Sequence, residues 1–188
     1  MENNNLNMDS ISDAQNDMKN GYGYGSTGVI VSGVVWLTSC LIACFYSSQH
    51  AMWALIIGGM FISPLAALVE KLVGIKGRHE KNNPLATLAM ESTVWMIMCI
   101  PLAYGLSLSN VGWFFQGMLM IIGGRYLTFA SIYGVHFYWI LGTVLGLSAI
   151  ILFTIKADAW ISSLTGGSIE IIMGGVLYSL YKKSTIKS

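Results

Sequence analysis

The stretch Ile121-Ile122-Gly123-Gly124-Arg125-Tyr126-Leu127-Thr128-Phe129-Ala130-Ser131-Ile132-Tyr133-Gly134 lies in an apolar run that begins near Gly112, and it sets an arginine where hydrocarbon would be. An ionisable residue at membrane depth costs about 2.5–3.5 kcal/mol or more, so it faces a partner or a cavity. Working outward, the chain has 188 residues, 54% hydrophobic and 10% charged, with mean hydropathy +0.62. A soluble domain carries about 25% charged residues, so this chain has too few to cover a watery surface. Apolar runs of about 20 residues recur along it, which is bilayer length. The composition therefore predicts an all-α, polytopic membrane protein, and the net charge of +1 offers no field for nucleic acid.

Six transmembrane helices are expected, at about 27–47, 51–69, 85–105, 112–133, 135–155 and 162–181. They make one membrane domain over 26–183, between a polar N-terminal tail, 1–25, and a short C-terminal tail, 184–188. Asn3-Asn4-Asn5, Asp9, Asp13 and Asp17 make the first tail polar, while Met8, Ile11 and Met18 are spaced to line one face of a short surface helix; a frayed tail is the alternative. A basic n-region and an apolar h-region are not seen there, so the first span is expected to act as its own insertion signal. Ser48-Gln49-His50 reads as a tight turn, Glu70 to Asn83 as a polar loop, and Pro64 as a kink or a place where a neighbour repairs the backbone.

Orientation follows from the basic residues. With a cytoplasmic N-terminus, Lys19, Lys71, Lys76, Arg78, Lys81, Lys182, Lys183 and Lys187 fall inside and only Lys156 outside. Both termini are expected in the cytoplasm, in the inner membrane.

Three spans share a local pattern: Ile56-Ile57-Gly58-Gly59, Ile121-Ile122-Gly123-Gly124 and Ile171-Ile172-Met173-Gly174-Gly175. The pattern is compatible with three helical-hairpin repeats. Paired glycines also let membrane helices approach closely without any repeat.

Depth arithmetic selects partners for Arg125. At about 1.5 Å per residue, Glu91 and Arg125 both lie about 10 Å from the cytoplasmic face of a core about 30 Å thick. An ion pair between neighbouring spans is expected there. Glu170 comes out one to two turns too high to touch Arg125; a water, an ion or Tyr126 could bridge them, or Glu170 carries a proton. Glu91, Arg125, Glu170 and Tyr126 are thus the candidate buried polar site. Two readings stay open: a cavity for a polar solute or protons, or an ion pair that fixes helix register.

Catalytic patterns are missing. His50, His79 and His136 do not pair by spacing with a nucleophile, there is no HExxH, and the three cysteines form no CxxC. No enzyme activity, metal or cofactor is expected.

The block Gly123 to Tyr133, the Ile56 to Leu68 segment with Pro64, and Asn83-Pro84-Leu85 together resemble a domain-of-unknown-function family of small bacterial six-helix membrane proteins. The resemblance covers about Gly28 to Lys183. It implies fold and membrane location and brings no activity; some relatives carry histidine at the position of Arg125. The expected function is a small transporter-like or solute-binding protein, with a non-transporting accessory or assembly protein as the alternative. Expected partners are the lipid bilayer, a small polar solute or ion, and a second copy of the chain in a homo-oligomer.

Overall fold

The computed structural model describes residues 10–187, so Asn3-Asn4-Asn5, Met8 and Asp9 fall outside the described residues. Within them the chain is all-helical: α1 Ile11–Gly21, a 3-10 turn Gly23–Gly25, α2 Ser26–Phe45, α3 Ser48–Val73, α4 Pro84–Ser107, α5 Val111–Tyr133, α6 Phe137–Thr154 and α7 Ala159–Lys187. Five helices are long and apolar enough to cross a membrane: α2 with its lead-in, α3, α4, α6 and α7. The helix with Arg125, α5, is not among them, because Gln116, Arg125 and its tyrosines dilute its apolar residues. Yet α5 is the innermost helix, packing on α3, α4, α6 and α7.

Polar caps set the boundaries, which is why they differ from the sequence expectation. Ser47 accepts from the His50 amide at 3.2 Å, so Ser48-Gln49-His50 is the first turn of α3 rather than a linker. Asn83 caps α4 ahead of Pro84, where a proline loses no hydrogen bond. Asn110 caps α5, and Gly134 ends it at φ 62°, a left-handed conformation that glycine adopts freely. Both α3 and α7 run longer than a span needs, and α3 continues through Pro64.

The six long helices have two well-separated ends. At one end the Gly77 amide donates to the Gly21 carbonyl at 2.9 Å, Gln15 Nε2 donates to the Ser131 carbonyl at 2.7 Å, and the Tyr24 and Tyr181 rings lie 6.1 Å apart. At the other, Ser39 donates to the Ala51 carbonyl, Cys40 to the Trp160 carbonyl and Gln116 to the Ala157 carbonyl. Helix α5 starts at the second end and finishes at the first. Large apolar side chains cover the outside of α3 and α4, among them Trp53, Met60, Phe61, Leu72, Trp95, Met98 and Leu102. A water-exposed patch of that extent would aggregate; lipid tails cover it without cost.

The paired glycines are points of close packing. The first of each pair meets a neighbour: Gly58 meets Val35, Gly123 meets Gly142, and Gly174 meets Ile30. Contacts between hairpin partners are unequal, α6 touching α7 far less than α2 touches α3.

The N-terminal segment departs most from expectation. Ser10 caps α1, and the helix docks on the bundle end through Ala14, Met18 and Gly21, which share one face at i, i+4, i+7. Ile11, expected on that face, is 74% exposed. Asn83 Nδ2 donates to the Ala14 carbonyl (2.9 Å) and to Asp17 Oδ2 (2.7 Å), and the Glu80 amide donates to the same oxygen. A protein surface, not a lipid surface, takes the apolar face of α1. Met18→Asp puts an unpaired charge in that contact. The expected result is loss of hydrogen-exchange protection in α1, from a local penalty of about 2–5 kcal/mol, with the amides of α2 to α7 still protected.

Candidate functional site

Helix α7 enters the core along the inner stripe Ser163, Glu170, Leu177, spaced i, i+7, i+14, and each of these side chains is fully buried. Tyr126 projects from α5 to meet it, its hydroxyl donating to Glu170 Oε1 at 2.9 Å. Ser32 of α2 lies beside the carboxyl, yet Oε2 has no hydrogen-bond partner. A buried polar atom left bare costs about 1–3 kcal/mol, more when charged. Glu170 is therefore a buried carboxyl with one oxygen unsatisfied, held by Tyr126 with Ser32 alongside.

Behind Tyr126 stands an aromatic wall. Tyr126 stacks on Tyr138 (centroids 5.9 Å), Tyr138 stacks on Tyr133 (5.5 Å), and Phe129 meets all three edge-on. The Tyr138 hydroxyl donates to the Tyr24 carbonyl at 2.8 Å, so this wall reaches the α1 end of the bundle.

Arg125, one residue before Tyr126, points to another side of α5. Its guanidinium donates to Thr93 Oγ1 at 3.0 Å and to Met96 Sδ at 3.6 Å, and lies 4.9 Å from the centroid of the Phe129 ring. Its Nε is bare. The expected Glu91–Arg125 ion pair is absent among the described residues, because Glu91 is exposed on the outer side of α4 while Thr93 faces α5. The two helices do pack side by side at matching depth; the residue presented to Arg125 is the hydroxyl two positions on. A double-mutant cycle on Glu91 and Arg125 is accordingly expected to give coupling within about 0.5 kcal/mol of zero, and one on Thr93 and Arg125 about 1 kcal/mol, both read from thermal unfolding in detergent.

Two polar groups were missed by sequence reading. Glu70, expected as the first loop residue, is buried beside Ala66, its i−4 neighbour, because α3 continues to Val73. Thr27 Oγ1 donates to Glu70 Oε1 at 2.8 Å. Extending the apolar period of the span by one turn would have found it. At the opposite end Gln116, Ser162 and Ser163 are buried together; Gln116 Nε2 donates to the Ala157 carbonyl and to Ser162, while Gln116 Oε1 and Ser163 Oγ are bare.

Buried polar groups thus occur at three levels between α2, α3, α5 and α7: Gln116, Ser162 and Ser163; then Glu170, Tyr126 and Ser32; then Glu70 and Thr27. Two surface grooves lie elsewhere. One, between α4 and α5, is apolar and lined by Trp95, Cys99, Leu102, Gly117 and Met120. The other, at the α1 end, is polar and lined by Asp13, Asp17, Lys76, Arg78, His79 and Lys81. Among the described residues no three of His, Cys, Asp and Glu gather as a metal-binding group.

No curated protein and no solved structure matches the chain. A family model does, over residues 11–180, beginning at the first residue of α1 rather than in the first span, as the docking of that helix would require. The chain belongs to a family of unknown function, DUF7010.

Proposed function

We propose that the protein is a small transporter-like protein of a bacterial cytoplasmic membrane, binding a small polar solute in the interior around Glu170, Tyr126 and Arg125. The observation that carries this reading is the Glu170 carboxyl, wholly buried with one oxygen on Tyr126 and the other bare. Arg125 Nε is a bare donor carried by the residue next to Tyr126. Intramembrane ionisable residues mark solute and ion pathways by default.

Six spans accompany this reading, with α5 as the sixth. Its 23 residues match the thickness of the bilayer, and its ends meet opposite ends of the bundle. The α1 end holds Lys19, Lys71, Lys76, Arg78, Lys81, Lys182 and Lys183, against Lys156 at the other, which supports cytoplasmic termini. A hairpin repeat adds nothing that close packing of the glycines does not supply.

Thermal unfolding of the purified chain against a panel of amino acids, amines, small carboxylic acids and sugars tests the reading. A solute that raises the midpoint in the parent and leaves Glu170→Gln unmoved is expected; a panel shifting both proteins equally would count against a site at Glu170.

One observation favours an accessory or assembly role. Glu91 is exposed on α4 well inside the helix, among Met90, Val94 and Trp95. A carboxyl facing lipid is costly and is relieved by a protein neighbour. If that neighbour is a second copy, Glu91→Leu alters the oligomeric state measured by light scattering in detergent, leaving solute response intact.

A further inference from the structure

We propose that Glu70 is a second proton-binding carboxyl, through which Glu170 exchanges its proton with the α1 end of the bundle. The proposal rests on the reading of Glu170 as a working group, and it names the proton as the ion that accompanies the solute.

The two carboxyls belong to one continuous seam. Glu170 holds the Tyr126 hydroxyl; Tyr126 stacks on Tyr138 and Tyr138 on Tyr133. The Tyr138 hydroxyl sits on the Tyr24 carbonyl, and both it and the Tyr133 ring press against Gly25. Three residues on from Tyr24, Thr27 holds Glu70. The seam thus runs from Glu170, past three phenols, to a carboxyl at the bundle end.

The groups facing each carboxyl decide what it can bind. Around Glu170 stand Tyr126 and Arg125 of α5, Ser32 of α2 and, behind Tyr126, Tyr138 of α6. Arg125 turns its terminal nitrogens to Met96 and Thr93 of α4 and forms no ion pair with the carboxyl. Around Glu70 stand Thr27 of α2 and Gly77 of the loop that follows α3, and that loop also brings His79 to the Tyr22 hydroxyl. A buried carboxylate without a cation is expensive, so a proton is the ligand that lets either group stay in place. The Gly74–Asn83 loop closes over the outer side of Glu70: the Glu70 Oε2 atom lies 3.0 Å from where a side chain on Gly77 would begin. Gly77 is held there by the hydrogen bond its amide donates to the Gly21 carbonyl, at the end of α1. The transfer involves no redox change. Glu70 first gives its H⁺ to water at the α1 end and becomes a carboxylate; Glu170 then releases H⁺, and Glu70 binds that proton and loses its charge again, leaving Glu170 as the carboxylate.

Infrared difference spectra after a pH jump, on the full chain in liposomes, test this. The parent is expected to show protonated-carboxyl C=O bands, one removed by Glu170→Gln and another by Glu70→Gln. Glu70→Gln is also expected to slow the loss of the Glu170 band. An unchanged rate in Glu70→Gln, or a spectrum from which Glu170→Gln removes nothing, overturns the proposal. Should Glu70→Gln fail to fold, Thr27→Val serves: it removes one hydroxyl and is expected to shift the Glu70 band alone, and an unshifted band overturns the assignment. The solute reading fails separately. If these bands behave as stated while no solute moves the unfolding midpoint, the proton path stands without it; a midpoint shift with an unchanged rate leaves the solute site without the path.

Discussion

Gly142→Leu is expected to prevent α5 and α6 from closing on each other, lowering the unfolding midpoint in detergent or abolishing a monodisperse product. A side chain begun at Gly142 would lie 2.6 Å from the Gly123 carbonyl oxygen and 2.8 Å from Leu127, and one begun at Gly123 would lie 2.8 Å from the Gly142 oxygen. Each obstructing oxygen is backbone and cannot rotate aside, so the helices themselves must part. Overpacking costs about 1–3 kcal/mol where side chains give way, and more where they do not. The tyrosine wall hangs on the same two helices, and its Tyr126 carries the bond to Glu170 of α7. Gly146→Ala is the control, since its nearest neighbour, Met120 Sδ, is 3.8 Å away; a change within about 0.5 kcal/mol is expected there. Equal damage from both substitutions would mean that the Gly123–Gly142 contact is not the tight point.

Glu170→Leu is expected to keep or raise thermal stability and to abolish any solute response. Replacing a buried, poorly satisfied polar group by an apolar one of similar volume is often neutral or stabilising by about 1–4 kcal/mol. Tyr126→Phe is expected to act in the opposite sense: it takes away the phenol's hydrogen bond to Glu170 Oε1 and leaves a barer carboxyl, at a cost of about 1–3 kcal/mol. The combination of the two should recover the stability of Glu170→Leu alone. A collapse of Glu170→Leu comparable to Tyr126→Phe would identify the carboxyl as a structural element of the core. That order of stabilities separates a group kept for function from one kept for folding.

The helical segments were readable because each needs about 20 apolar residues, a signal that survives errors in any one position. Their ends were less so. Ser47 and Asn83 are polar and look like loop, yet they start α3 and α4 as caps. The docking of α1 was hidden because Ala14, Met18 and Gly21 make a short stripe in a polar segment, and its partners lie in the Gly74–Asn83 loop and α5. The site was half legible for a geometric reason. Depth arithmetic fixes level along a helix and says nothing of direction around it. Glu91 and Thr93 share a level but differ by about 200° in azimuth, so the arginine found the hydroxyl. The same arithmetic put Glu170 beyond reach of Arg125 and named Tyr126 as a bridging group; the phenol does hold the carboxyl, while the arginine turns away.

The most direct test of a solute site at Glu170 is the native mass of the protein released from detergent, for the parent and for Glu170→Gln prepared side by side. A small adduct retained by the parent and lost from Glu170→Gln is the expected result. Bare-chain mass in both proteins, or the same adduct in both, would contradict it.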